Sequence, residues 1–197
     1  MSTDQSPPSV ELSPLREALK RATSALKGDG VPFALGGGYA LWVHGAPEPQ
    51  HDVDVVVTEQ DVPAAVDSLR GAGFRIERPA EDWLFKAAYL GDALVDVLHR
   101  LNGIPVAEEL VRNAREYEVL GVKIPALDAT TIVTTKLLSM TEHYCDFAGL
   151  LPVVRAVREQ LDWPAIQRAT EGHPFAEAFL VLLDRLAIAE LEVSVNA

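Results

Sequence analysis

The sequence predicts an α/β (α+β) protein on three observations. Strand-like and helix-like segments alternate from residue 15 to residue 127, only helical patterns follow residue 128, and 48% of the 197 residues are hydrophobic, enough for a substantial core. The chain is thereby expected to divide into a polar, proline-rich tail over 1–14, an α/β core over 15–127 and a C-terminal helical region over 128–197 packed on that core.

Leu15, Leu19, Ala22 and Leu26 recur at helical spacing, so the first helix is read from Leu15 to Lys27, closed by "KGDG". A short strand fits "PFAL". Three glycines then turn the chain into a short helix, "YALWVHG", and a Pro-Glu-Pro loop leads to the strand "DVDVVV". The segment "EQDVPAAVDSLRGAG" reads as a helix ended by glycine, followed by a strand around "FRIER". "WLFKAAYL" and "ALVDVLH" flank "GD" and read as a hairpin with a two-residue turn. A helix from Pro105 to Glu116 and one strand over "VLGVKIPAL" complete the α/β part. Asp128 is placed to cap a helix over "ATTIVTTKLLSMTEHY", Pro152 to kink or restart the helix in "FAGLLPVVRAVREQL", and "PFAEAFLVLLDRLAIAEL" to form a last helix with a wide apolar face. No internal repeat is visible.

Composition narrows the function classes. The single cysteine, Cys145, excludes an internal disulfide, no charged-then-apolar leader opens the sequence, and a cytoplasmic location is expected. No membrane segment is read, because Asp184 and Arg185 interrupt "AFLVLLDRLAIA" well short of a span. Lys+Arg number 17 against 29 Asp+Glu, and the net charge of −12 opposes nonspecific nucleic-acid binding, which depends on cations replacing counterions on phosphates. Arg70, Arg75, Arg78 and Lys86, and separately Arg112 and Arg115, read as ordinary surface charge. His44, His51 and His143, which lack a zinc-ligand spacing, read as ordinary polar residues. Trp42, Trp83 and Trp163 read as core or rim aromatics, and Cys145 has no feature that would make it nucleophilic.

The chemistry concentrates in "FALGGGYALWVHGAPEPQHDVDVVV". In a strand, residues two apart share a face about 6.6 Å from each other, so Asp52 and Asp54 can converge on one cation or a pair of cations. Mg²⁺ (or Mn²⁺), a hard ion that completes its shell with phosphate oxygens and water, suits them. Asp96, flanked by apolar residues in "LVDVLH", can add a third carboxylate. Gly37 and Gly38, before a helix, allow backbone amides to approach a triphosphate. On the helix after Asp128, Ile132, Lys136, Ser139 and His143 are expected near one face, which would turn Lys136 and His143 into the cleft.

This order of parts, strand, Gly-Gly, short helix, D-x-D strand and a later Asp on a neighbouring strand, resembles the nucleotidyltransferase fold from Phe33 to about His99. Together with "LDATTIVTTKLLSM" and a downstream Asp, the stretch to Leu161 resembles the MenT/AbiEii-type nucleotidyltransferase toxins of toxin–antitoxin systems. The resemblance implies a nucleotidyltransferase-like mixed β-sheet flanked by helices. It implies Gly37 and Gly38 at the phosphate turn, Asp52, Asp54 and Asp96 as metal ligands, Lys136 on the nucleotide phosphates and Asp146 as a further nucleotide-binding position. It also implies an NTP substrate, a tRNA 3′ end as acceptor and a cognate antitoxin protein as partner.

The sequence departs from that family's pattern where Glu48 and Gln50 replace the usual Arg and Thr or Ser, setting an anion near the triphosphate. Two alternatives follow. One is a small-molecule transferase of the aminoglycoside-modifying type. The other is a catalytically degenerate binding module.

Overall fold

A computed structural model describes residues 13–91 and 93–191. The expected tail lies outside the described residues up to residue 12. Ser13 and Pro14, assigned to that tail, instead open α1 (Pro14–Gly28): the Ser13 hydroxyl accepts the Arg16 amide and proline takes the first turn. Ala18, Leu19, Ala22 and Leu26 form its buried stripe.

The order continues β1 (Ala34–Leu35), α2 (Gly37–Val43), β2 (Asp52–Val56), α3 (Val62–Gly71), β3 (Arg75–Glu77), β4 (Leu84–Tyr89) and β5 (Ala93–Leu98). It resumes with β6 (Arg100–Leu101), β7 (Ile104–Pro105), α4 (Glu108–Arg112), β8 (Arg115–Val119) and β9 (Val122–Ala126). Seven strands form one sheet in the order β3-β4-β5-β2-β1-β9-β8, and β6 and β7 form a separate hairpin. The β2–β5 and β1–β9 pairs are parallel and the others antiparallel, so the sheet is mixed, as expected. Val53, Val55, Val95 and Val97 are fully buried in the core to which α1 and α3 contribute. The two-residue period of strands turns Asp52, Asp54 and Asp96 the other way.

Other readings of the sequence are corrected as well. The helix expected over Pro105–Glu116 shrinks to α4, preceded by β7 and followed by β8. The single strand expected over "VLGVKIPAL" is the end of one strand and the whole of another, because Leu120 and Gly121, at φ +52° and +76°, make the tight turn of a β8–β9 hairpin. The helix after Asp128, α5 (Ala129–Leu138), is capped by Asp128 as expected but stops at Ser139. A Thr141–Tyr144 bridge follows, leaving His143 off the helix and exposed. The last helix ends at Arg185, short of Leu191, where Ala187 turns to φ +51°.

The remaining helices are α6 (Phe147–Val157), α7 (Trp163–Ala169) and α8 (Pro174–Arg185). Pro152 sits inside α6, which continues through it. α5 packs against α2, α7 and α8 and so joins the sheet side to the later helices. Among the described residues no helix is long and apolar enough to cross a membrane.

Candidate active site

A cleft of about 1030 Å³ opens between β2, β5, the start of α2, the β6–β7 hairpin, α5 and α6. Gly37, Gly38, Asp52, Asp54, Asp96, Lys136 and Asp146 all line it, whereas His143 does not. The residues named for the site therefore line one cleft, and that histidine lies outside it.

Register explains how. In the parallel β2–β5 pair Asp54 lies directly opposite Asp96, and in the antiparallel β4–β5 pair Asp96 lies opposite Lys86. Lys86, Asp96 and Asp54 thus form one row across three strands, with Asp52 two residues along. One carboxylate oxygen from each of Asp52, Asp54 and Asp96 lies within 4.8 Å of the others. All-oxygen donors at this spacing fit a hard divalent cation.

The glycines serve this cluster directly. Gly37 has φ +49°, and a Cβ there would stand 1.6 Å from Asp54 Oδ2. Gly38 lies against Pro49, 2.8 Å from where its own Cβ would be, and its amide donates a hydrogen bond to Asp54. The turn therefore exists as much to admit the Asp54 carboxylate as to leave backbone accessible from the cleft.

Crowding has an electrostatic consequence. Burial first and Asp52 second push Asp54 up to about 7, Asp96 adds to this, and Lys136 and the Gly38 amide oppose it. Asp96 is also raised, chiefly by burial, against the pull of Lys86. The folded state thus favours the protonated carboxyl. The contribution of Asp54 to metal-free stability is fully present below the ordinary aspartate range and is lost as pH climbs through about 7. Glu48 and Glu116 are held low by Arg16 and Lys27, so what they contribute is lost as pH falls, not as it rises. The metal-free melting temperature should fall from about pH 5 to about pH 8, and Mg²⁺ should restore more of it at the upper end than at the lower. A melting temperature flat across this range, and indifferent to Mg²⁺, would contradict the picture of a crowded carboxylate site.

Two residues acquire roles that sequence reasoning missed. Arg16, at the start of α1, grips Glu48 with Nε at 2.7 Å and Nη2 at 2.5 Å, while its guanidinium lies 5.5 Å from the Trp42 ring centroid. Arg16 holds the Glu48 carboxyl below its usual range, so this anion at the edge of the cleft is paired rather than free. Lys86, read from the sequence as surface charge, places its ammonium 3.0 and 2.8 Å from the two oxygens of Asp96.

Other expected residues keep structural duties. Asp146 caps α6, accepting the Gly149 amide at 2.8 Å. His44 Nε2 lies 2.8 Å from the Leu127 carbonyl, and its ring packs edge-on against Tyr117. Cys145 is a free, exposed thiol. Trp83 stands on the rim of the cleft, while Trp42 and Trp163 pack against the core.

No protein-family model and no curated protein matches the chain by sequence. Solved structures resemble it in fold. The crystal structure of ANT(2″)-Ia in complex with adenylyl-2″-tobramycin superposes with a TM-score of 0.56 at 16% identity, covering 85% of this chain and 97% of that one. The lincosamide antibiotic adenylyltransferase LnuA, lincomycin-bound, gives 0.53 at 12% identity over 72% of this chain and 96% of that one. An antigenic nucleotidyltransferase-like protein from Paracoccidioides brasiliensis gives 0.52 at 13% identity over 88% of each chain. The chain has the nucleotidyltransferase fold, with an acidic triad at the place where its strands converge. None of these three proteins is named as a toxin.

Proposed function

We propose that the protein is a divalent-metal-dependent nucleotidyltransferase that moves a nucleotidyl group from an NTP to the hydroxyl of a small, amine-bearing acceptor. The observation that carries the chemistry is the convergence of Asp52, Asp54 and Asp96 beside a glycine turn and Lys136 in one cleft. Asp52, Asp54 and Asp96 would hold the metal, whose charge offsets that developing on the phosphoryl oxygens.

The chain's own groups do the rest. Gly37 and Gly38 form the proposed phosphate turn, and Lys136, which makes no ion pair among the described residues, faces the charge that accumulates on the departing pyrophosphate. The acceptor oxygen bonds to the α-phosphorus as the bond to the bridging oxygen breaks. The acceptor's proton passes to a carboxylate of the cluster. Asp146 is a proposed outer contact for the nucleotide through the oxygen not committed to capping.

The acceptor reading rests on charge. Around the cleft, Arg100 is tied to Glu59 at 2.6 Å, which leaves Lys136 facing Asp52, Asp54, Asp96 and Asp146. Away from it, Arg70 faces Asp67, Arg75 faces Glu77 and Arg112 faces Glu108. Such a surface gives an RNA backbone little to replace its counterions and gives a cationic small molecule several partners. Two of the fold relatives, bound to adenylyl-2″-tobramycin and to lincomycin, carry small-molecule ligands, in keeping with this reading. A tRNA 3′ end, with an antitoxin partner and a cytoplasmic setting, is the second reading, favoured by the sequence likeness around Lys136.

Incubation with each α-labelled NTP, Mg²⁺, and either a panel of aminated sugars and alcohols or total tRNA separates the two. Label on a small molecule supports the proposal, label on tRNA replaces the acceptor, and release of no pyrophosphate with any NTP overturns the transferase reading. Lys136→Ala should weaken NTP binding by about tenfold or slow transfer by about a hundredfold. Unchanged values for both would return this lysine to the surface.

A further inference from the structure

Lys86 is half-buried beside the triad yet belongs to none of the functions assigned so far. Its partner Asp96 is only 7% exposed, and the ammonium meets both Asp96 oxygens rather than one. The pairing is fixed by the sheet, since Lys86 and Asp96 occupy opposed positions on neighbouring strands and neither backbone can slide without breaking the β4–β5 ladder. The Asp96 carboxylate in turn lies within 4.8 Å of those of Asp52 and Asp54. A permanent positive charge therefore stands one carboxylate away from the place where a divalent ion would sit.

We infer that Lys86 is a positioning residue: it anchors Asp96 as the cation-paired member of the triad and keeps the nucleotide-free site weak for divalent ions. Asp52 and Asp54, which make no such ion pair among the described residues, then do most of the holding. A divalent ion would then be held weakly by the carboxylates alone and more tightly together with the triphosphate. The inference rests on the proposed metal use of this site. Its physical basis is repulsion: an ammonium a few ångström from a divalent cation, at a site open to solvent, lowers affinity by an amount of order tenfold. Lys86 also offsets part of the repulsion among the three carboxylates, because it compensates one of them.

The test is Mn²⁺ titration of the nucleotide-free full chain, followed by electron paramagnetic resonance, which needs no turnover. Lys86→Met should bind Mn²⁺ roughly tenfold more tightly than the parent. Lys86→Gln, which keeps a hydrogen-bond donor to Asp96 and guards against a folding defect in the methionine variant, should do the same. Lys86→Arg, which restores the charge, should stay within about twofold of the parent. A lysine that merely supports the strand would give the opposite sign, since loosening the site weakens binding. Equal or weaker Mn²⁺ affinity in folded Lys86→Met and Lys86→Gln, with measurable binding by the parent, would overturn the inference and leave the transferase reading standing. Absence of Mn²⁺ binding by parent and variants alike, even with NTP added, would overturn both.

Discussion

Asp54→Asn should lower nucleotidyl transfer by at least about a thousandfold while leaving the fold intact. Asp54 ends the cross-strand row, with Asp96 opposite it in register and the Gly38 amide bonded to it. It is also the carboxylate that the fold holds least willingly in its charged form, at about 7. The amide removes a metal ligand and a repulsive charge together, so activity and metal-free stability should move in opposite directions. The melting temperature without metal at about pH 8 should rise or hold, and its dependence on Mg²⁺ should vanish. Calorimetry and a pyrophosphate-release assay on the same preparation check both halves. Transfer within tenfold of the parent would remove Asp54 from the site.

Gly37→Ala is the second large effect, and it acts through space rather than charge. The new methyl would fall 1.6 Å from Asp54 Oδ2 and 2.4 Å from its Cγ, at a backbone φ of +49°. Asp54 or the first turn of α2 must move. The combined strain should cost about 2 to 4 kcal/mol of stability, and Mn²⁺ affinity should fall by more than about tenfold. Gly45→Ala separates the two causes: it too has positive φ, +104°, but open space around the would-be methyl. It should cost stability without touching metal binding. If Gly37→Ala and Gly45→Ala bind Mn²⁺ equally well, the close approach of Gly37 to Asp54 has no functional meaning.

Much of this site was legible because its parts obey short-range rules. The D-x-D pattern needs only the strand period to bring Asp52 and Asp54 to one face, and a run of glycines before a helix announces a backbone that must bend closely around something. The N-cap at Asp128 and the carboxylate in "LVDVLH" could be read the same way. What could not be read was register and long-range pairing. A two-residue turn at "GD" would set Lys86 opposite Val97. The observed pairing of Tyr89 with Ala93 instead moves Leu90, at φ +22°, out of the strand pairing and into the connection beside Gly91 at +73°. That single step delivers Lys86 to Asp96 and turns an apparent surface lysine into part of the site.

The Arg16–Glu48 pair was hidden for a different reason. Its partners are 32 residues apart, on a helix and a loop, and no local pattern links them. Seen from the sequence alone, Glu48 argues for a degenerate site. Paired with Arg16, and with Tyr39 3.5 Å away, it is a buttress of the loop that carries the chain from α2 to β2. The β8–β9 turn escaped because "VLGVKIPAL" is apolar on both sides of Gly121, and an unbroken apolar run masks a hairpin.

The central claim is that the three aspartates, the glycine turn and Lys136 form one site for a metal-bound triphosphate. Diffraction from crystals grown with Mn²⁺ and a non-hydrolysable NTP, recorded at the manganese edge, tests it most directly. Anomalous density bridging Asp52 and Asp54, with the triphosphate between Gly37, Gly38 and Lys136, is the predicted result; manganese or nucleotide bound elsewhere, with the triad empty, would contradict it.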